Sequence, residues 1–151
     1  MPSTLEHQDL SVRAHVYDVV IASALPPSIC DIAQQLGLAE VSVVESLERL
    51  AAGKALVLQG DSREILMASP FSAVPTPFAV YAKDRLYYGN CIWDALGIPA
   101  MLRSDARIDC SCSCCGESVK LFVNGGELAP VDGIIHFAVP AHRWRHDIVY
   151  T

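Results

Sequence analysis

The chain has 151 residues, of which 52% are hydrophobic and 19% charged, and its formal net charge is −6. This length suits one compact core, alone or with a small subdomain, and the hydrophobic content excludes general disorder. The acidic balance opposes nonspecific nucleic-acid binding, which needs Lys and Arg to displace counterions, and no apolar run is long enough to cross a bilayer.

The N-terminal part of the sequence predicts a small helical bundle. Apolar residues at helical spacing predict helices over 11–24, 29–36 and 40–52. Ser28 and Asp31 have the spacing of a capping box at the start of the second helix. The next apolar stretches, KALVLQ and EILMAS, predict two short strands joined by a polar turn.

Three helices followed by a β-hairpin outline a winged helix, whose third helix usually recognises DNA. In this chain the third helix carries Glu45 and Glu48 against a single Arg49, which is unfavourable for docking on phosphate. The alternative is a helical subdomain packed beside a catalytic core. The charges favour this alternative, and we expect no nucleic-acid partner and no membrane partner.

The C-terminal part predicts a small, mostly antiparallel sheet with one short helix. Three prolines predict a rigid connector over 70–77, and the apolar period then changes to two. A short apolar helix is predicted over 91–102. The predicted strands are 78–82, 85–88, 105–110, 118–123, 134–139 and 146–150. The sequence therefore predicts an α+β fold, with a winged-helix-like subdomain over 1–69 and a catalytic core over 70–151.

A thiol and a carboxyl group are predicted to meet at the start of the short helix. Asn90 is a good N-cap, which places Cys91 at the first helical position, where unpaired N–H groups lower a thiol pKa. Asp94 follows three residues later on the same face and can exchange a proton with the thiol. The alternative is a buried core cysteine with Asp94 helping to cap the helix.

The remaining chemistry-bearing feature is a cysteine cluster. The polar N-terminus lacks the apolar centre of a signal peptide, so we expect a cytoplasmic protein, in which cysteines stay reduced. The cluster comprises Cys110, Cys112, Cys114 and Cys115. In an extended segment Cys110, Cys112 and Cys114 would share one side and suit a soft metal ion. The alternative is a zinc-like knuckle or a buried turn at the sheet edge.

Three segments of the sequence resemble the alkylmercury (organomercurial) lyases: PFSAVPT, NCIWDALGIPAML and SCSCCGESVKLFV. The resemblance spans about residues 65 to 125. It implies a lyase that releases a hydrocarbon and Hg(II) from an organomercurial. Cys91 matches the attacking thiolate, Asp94 the proton donor and mercury-site carboxylate, and Cys112 a further, structural cysteine of the family.

The resemblance also implies further properties. No cofactor is required, and Hg(II) is the product. The substrate is a small organomercurial, and a mercuric reductase or low-molecular-weight thiols accept the Hg(II). Mercury ligands are expected to be Cys91 and Asp94. The spacing of the cysteine cluster, and not the resemblance, adds Cys110, Cys112, Cys114 and Cys115 as further candidates.

The sequence departs from the family pattern at its end. Relatives carry a second thiol late in the core, and here no cysteine follows Cys115. We hypothesise that residue 152 is cysteine or selenocysteine in the full gene product, which makes the chain a truncated selenoprotein candidate. A binding protein for Hg(II) or Cu(I) and a metal-responsive winged-helix regulator are the alternative functions.

Overall fold

The computed structural model describes residues 7–137 and 139–146. Its N-terminal part contains the three predicted helices: α1 (His7–Ser23), α2 (Ile29–Leu36) and α3 (Glu40–Ala52). The predicted capping box is confirmed, because the Ser28 hydroxyl accepts from the Asp31 N–H and the Asp31 carboxylate accepts from the Ser28 N–H. The apolar stripe of α1 is fully buried at Val12, Val16 and Val20.

A small antiparallel sheet follows the helices. Strands β1 (Val57–Leu58) and β2 (Ile65–Ala68) form the predicted hairpin, and β3 (Phe71–Ser72) pairs with β2 in the order β1-β2-β3. The segment 70–77 was predicted to be only a connector. Strand β3 has two residues, which are too few to produce a periodic pattern in the sequence. The prolines of the surrounding segment also argue against a strand there. The winged-helix assignment of this region stays a prediction.

The second sheet has five antiparallel strands in the order β5-β4-β6-β7-β8. Its first two strands form the predicted hairpin around Lys83 and Asp84, both of which adopt a left-handed backbone conformation. The α+β fold with a small antiparallel core is therefore confirmed. The strand bounds are β4 (Ala79–Ala82), β5 (Arg85–Tyr88), β6 (Ala106–Ser111), β7 (Ser118–Asn124) and β8 (Glu127–Leu128).

The short apolar helix is α4 (Ile92–Leu102), between β5 and β6. Ala95, Ile98 and Leu102 lie in the core that α4 shares with the five-stranded sheet. Within the described residues, no helix is long and apolar enough to span a membrane.

The C-terminal strands differ from the prediction. Residues 134–137 and 139 are not in a strand, and Ile134 is 93% exposed, so the apolar run there does not enter the core. Strand β8 was missed because its two residues directly follow a Gly125-Gly126 turn. A 3₁₀-helix spans Ala141–His146. The predicted strand over 146–150 otherwise lies outside the described residues.

The helical bundle and the five-stranded sheet share one hydrophobic core. The same buried cluster contains Val16 of α1, Phe71 of β3 and Ile108 of β6. The Tyr87 hydroxyl of β5 donates to the Ile21 carbonyl of α1 at 2.8 Å. A division of the chain at residue 69 stays a prediction, and these contacts cross it.

Candidate active site

Strand β5 leads directly into the start of α4 through a close approach of two backbone segments. A Cβ atom at Gly89 would lie 2.6 Å from the Ala95 nitrogen, so only glycine fits there. The Gly89 N–H donates to the Phe78 carbonyl at 3.0 Å, and the Thr76 hydroxyl donates to the Gly89 carbonyl. These contacts fix the chain immediately before the cysteine.

Helix α4 begins one residue later than predicted. Cys91, and not Asn90, is the N-cap residue, with an extended backbone at φ −146°. Its carbonyl accepts from the Ala95 N–H at 2.9 Å and closes the first turn. The Asn90 side chain does not cap the helix, because the N-cap position falls on Cys91 instead.

Cys91 and Asp94 are in contact, as the spacing predicted. The Cys91 thiol donates to Asp94 Oδ2 across 3.7 Å, a normal separation for a sulfur donor. Both groups are partly buried. A thiol and a carboxyl group in direct contact can pass a proton between them without an intervening water.

Burial raises the pKa of the Cys91 thiol above its ordinary value, and the Asp94 charge and hydrogen bond act in the same direction. The N–H groups of Asp94 and Trp93 oppose these effects and lower the pKa. The prediction of a lowered pKa is therefore wrong in sign: the helix-start effect exists, but desolvation outweighs it.

Burial also raises the pKa of the Asp94 carboxyl group, although Asn90 and Cys91 favour its charged form. The Asn90 side-chain nitrogen and oxygen are buried and make no hydrogen bond of good geometry within the described part of the chain. A carboxyl group with a raised pKa holds its proton closer to neutral pH and is therefore available as a proton donor there.

Helix α1, which is remote in sequence, approaches this helix start. The Asp94 charge raises the pKa of Tyr17 on α1, although burial of Tyr17 is the larger cause. The Tyr17 hydroxyl donates to the Ser69 carbonyl at 2.8 Å. Sequence reasoning missed Tyr17, because nothing local distinguishes it from a core aromatic residue of α1.

An aromatic cluster lies beside the first turn of α4. The Trp93 side chain is 62% exposed, and its ring contacts that of Trp144 at 6.5 Å between centroids. Trp144 in turn contacts Phe137 at 4.7 Å and donates to the Val139 carbonyl at 2.8 Å. Trp144 and Phe137 therefore lie near the first turn of α4, and Trp144 is a second residue that the sequence did not single out.

Other aromatic and polar residues considered from the sequence have structural contacts. Tyr87 is 1% exposed and bonded to α1, which makes it a core residue. Ser72 is buried, and its hydroxyl donates to the Val74 carbonyl at 2.8 Å. Helical spacing alone suggests a core position for Cys30 on α2, but its side chain is exposed.

The cysteine cluster occupies the end of β6 and the turn into β7. Cys110 is half-buried in β6 opposite Val119, and burial raises its pKa. The strand ends at Ser111, so Cys114 does not continue the extended face that Cys110 and Cys112 were predicted to share with it. Cys114 and Cys115 are exposed in the turn.

Cys112 occupies a distinct environment in that turn. Its sulfur accepts from the N–H groups of Cys115 and Cys114 and from the Cys115 thiol, and these bonds lower the pKa of Cys112. Within residues 7–137 and 139–146, no group of three or more His, Cys, Asp or Glu side chains is arranged to hold a metal ion.

Comparison with solved structures identifies a shared fold. The crystal structure of the mercury-bound form of MerB2 superposes on this chain with a TM-score of 0.67 at 22% identity. The match covers 85% of this chain and 61% of that protein, so this chain spans about three fifths of its length. Comparison with curated proteins gives no match.

Comparison with protein families identifies the region that contains the site. The family profile MerB, alkylmercury lyase, matches residues 71–151. This match includes Cys91, Asp94 and the whole cysteine cluster, and it covers more than half of the chain. The chain belongs to the alkylmercury lyase family.

Proposed function

We propose that this chain is an organomercurial lyase that protonates the carbon–mercury bond of a small organomercurial and yields a hydrocarbon and Hg(II). The contact between Cys91 and Asp94, at 3.7 Å within the family-matched region, is the observation that carries the proposal. Mercury is a soft metal for which thiolates are the preferred protein ligands. The structure of MerB2, which has the same fold, is of a mercury-bound form, and this supports mercury as the ligand here.

The first step is attack of Cys91 on mercury. The Cys91 sulfur bonds to the mercury of R–Hg–X as the thiol proton moves to the Asp94 carboxylate and X⁻ leaves. The raised pKa of Cys91 means that the thiol is mostly protonated at neutral pH, so a proton acceptor in contact with it is needed. Asp94 is that acceptor.

The second step is protonation of the carbon. The Asp94 carboxyl group delivers the proton it has just received to the carbon bound to mercury, the carbon–mercury bond breaks, and R–H leaves. The raised pKa of Asp94 keeps the carboxyl group protonated closer to neutral pH than an ordinary carboxyl group, so the proton is retained until the carbon accepts it. Hg(II) remains on the Cys91 sulfur with the Asp94 carboxylate beside it, ready for an acceptor.

The chain's own residues supply both the nucleophile and the proton in this scheme, and the scheme uses no cofactor. The acceptor of Hg(II) is a thiol, either a low-molecular-weight thiol or that of a mercuric reductase. A cytoplasmic location and a further thiol or selenol after Thr151 remain parts of the proposal, and an extended chain tests the latter.

The experiment is an assay with phenylmercury. Wild-type protein is incubated with phenylmercuric acetate and excess thiol, and benzene is measured by gas chromatography. We expect Cys91→Ser to abolish benzene release and Cys30→Ser, an exposed cysteine on α2, to leave it unchanged. No benzene from the wild type, alone or extended past Thr151, contradicts the proposal.

A non-catalytic Hg(II)- or Cu(I)-binding protein is the second candidate, and the exposed thiols of Cys114 and Cys115 favour it. The same assay separates the two functions, because a binder retains intact phenylmercury in a fixed ratio and releases no benzene.

A metal-responsive DNA-binding regulator is disfavoured by the third helix. The Arg49 guanidinium is paired with the fully buried Asp9 carboxylate at 2.8 Å, and Glu48 pairs with Arg63. The arginine of α3 is thus engaged within the protein. DNA binding in a gel-shift experiment at low salt would support the regulator function instead.

A further inference from the structure

The turn between β6 and β7 holds two cysteines in a fixed geometry. The Cys112 N–H donates to the Glu117 carbonyl at 2.8 Å, and the Gly116 N–H donates to the Cys112 carbonyl at 2.8 Å. Gly116 has a φ of +76°, which favours glycine and turns the chain back into β7. The turn is therefore built by its backbone and needs no cysteine pairing to close.

Within this turn the sulfur atoms of Cys112 and Cys115 face each other. The Cys115 thiol donates to the Cys112 sulfur, and the N–H groups of Cys114 and Cys115 point at the same sulfur. Cys115 is exposed and Cys112 is half-buried, so a ligand can reach both from solvent. We call Cys112 and Cys115 the turn dithiol.

The strand register places the turn dithiol at the same end of the sheet as Cys91. Tyr88 of β5 and Asp109 of β6 both pair with Ala79 of β4, and β5 and β6 run in the same direction on either side of it. The chain reaches Cys91 three residues after Tyr88 and Cys112 three residues after Asp109. Two strand spacings separate β5 from β6, roughly 10 Å.

We propose that the turn dithiol is a second mercury site, which binds Hg(II) between the sulfur atoms of Cys112 and Cys115 and takes it from Cys91 after cleavage, before an external thiol removes it. Hg(II) is a soft cation that two thiolates satisfy, and two sulfurs held in one turn bind it as a chelate. Cys114 lies in the same turn but outside the contact. Binding of inorganic Hg(II) stands by itself, and the transfer from Cys91 rests on the proposed function.

The transfer is a thiolate exchange with no change of oxidation state. The Cys112 thiolate bonds to mercury held by Cys91, and the Cys115 sulfur bonds next as its proton leaves. The Cys91–Hg bond breaks, and the Cys91 sulfur takes up the proton released by Cys115. The products are Hg(II) bridging Cys112 and Cys115, and a Cys91 thiol ready for the next substrate.

The first experiment measures the site without any cleavage. Protein with Cys91→Ser is mixed with mercuric chloride in the presence of millimolar glutathione and desalted, and retained mercury is measured by mass spectrometry. A further Cys112→Ser or Cys115→Ser substitution is expected to lower retention by at least about tenfold, because the chelate is lost. Cys114→Ser, in the same exposed turn, is the matched control and is expected to retain mercury like its parent.

Two results would overturn the site: full retention of mercury after Cys112→Ser, or an equal loss of mercury after Cys114→Ser.

The second experiment follows benzene release from phenylmercury without added thiol, in wild type and in Cys112→Ser. We expect the first turnover to be unchanged and the second turnover to slow about tenfold, because in Cys112→Ser the mercury stays on Cys91 without a chelating acceptor. Equal rates of the second turnover in the two proteins would overturn the transfer. A wild type that releases no benzene but retains mercuric chloride on the turn dithiol contradicts the proposed function alone.

Discussion

At the scale of single residues, Asp94 combines two properties that oppose each other. Its burial makes the charged form unfavourable, and this same burial is what makes the carboxyl group a proton donor in the proposed reaction. Active sites commonly contain groups whose environment lowers stability in this way. The stability and the activity of an Asp94 variant are therefore expected to change in opposite directions.

Asp94→Asn keeps the shape of the side chain but cannot carry the proton. We expect benzene release to fall by at least about 100-fold, the usual contribution of a positioned acid or base. The measurement is the single-turnover rate with phenylmercuric acetate, so that binding and product release do not obscure the chemical step. A rate within a few-fold of wild type would show that another group protonates the carbon.

The same variant is expected to be more stable than wild type at neutral pH. The pKa of Asp94 is raised in the folded state, so the folded protein binds the proton more tightly than the unfolded chain. The wild-type free energy of unfolding therefore falls as pH rises from the ordinary carboxyl range through the raised pKa. Urea unfolding from acidic to neutral pH is expected to show a gap between variant and wild type that closes as pH falls.

Cys91 gives a second pH-dependent signal. Because burial and Asp94 raise its pKa, iodoacetamide is expected to alkylate it with a midpoint above that of an ordinary thiol. Asp94→Asn removes the contribution of the carboxylate and is expected to shift the midpoint down, with the burial contribution left in place. Peptide mass spectrometry measures alkylation at Cys91 separately from the other cysteines. An unchanged midpoint would show that the two groups are not coupled.

At the scale of elements, the start of α4 depends on its contact with the end of β5. A Cβ atom at Gly89 would overlap the Ala95 nitrogen at 2.6 Å and its Cα at 2.9 Å, and both are backbone atoms that cannot move alone. Any side chain at this position therefore displaces the helix start, and Cys91 and Asp94 move with it.

Gly89→Ala is expected to lower the free energy of unfolding by about 1–3 kcal/mol, the usual cost of overpacking. Urea unfolding measures the loss, and the phenylmercury assay is expected to show lowered activity in the protein that remains folded. Gly60→Ala is the matched control, because a Cβ at Gly60 meets no atom within 4 Å. Equal stability of the two variants would contradict the close packing at Gly89.

The sequence predicted the elements whose signals are local. The helices α1 to α3 and the β4–β5 hairpin follow from apolar periodicity and from turn residues such as Lys83 and Asp84. Strands β3 and β8 have two residues each and carry no period of their own, so pairing with a neighbouring strand defines them. The apolar residues at 134–137 do not form the predicted strand, because an apolar pattern alone does not determine whether another element packs against these side chains.

At the scale of the whole molecule, α1 is joined to the rest of the protein by polar contacts inside an apolar core. The fully buried Asp9 carboxylate accepts hydrogen bonds from two guanidinium nitrogens of Arg49 on α3, at distances of 2.8 to 3.2 Å. The hydroxyl of Tyr87 on β5 reaches the Ile21 carbonyl of α1. The helical bundle is therefore bonded to β5, the strand that leads into the candidate site at the start of α4.

Asp9→Ala is expected to lower the free energy of unfolding by about 1.5–3 kcal/mol, because it removes the fully buried carboxylate that pairs with the partly exposed Arg49 guanidinium. Chemical denaturation measures this loss. Asp61→Ala in the exposed β1–β2 turn is the control and is expected to change stability by less than about 0.5 kcal/mol. A comparable change in both variants would indicate that the buried pair contributes little.

The candidate site was predictable in part for a related reason. Cys91 and Asp94 lie three residues apart, so helical spacing alone brings them together. Tyr17 and Trp144 reach the site through the tertiary fold, and nothing in their local sequence indicates it. The sign of the Cys91 pKa shift was also beyond the sequence, because it depends on how deeply the surrounding chain buries the thiol.

Because Trp93 and Trp144 are in contact, the intrinsic tryptophan fluorescence of the protein reports on the region around the start of α4. The sequence contains two tryptophans, and both lie beside the first turn of α4. Ultraviolet-excited tryptophan emission of the protein thus originates within a few side chains of Cys91, and a heavy atom bound there quenches it through spin–orbit coupling. Capture of mercury can therefore be followed in real time on the unlabelled protein, by its fluorescence alone.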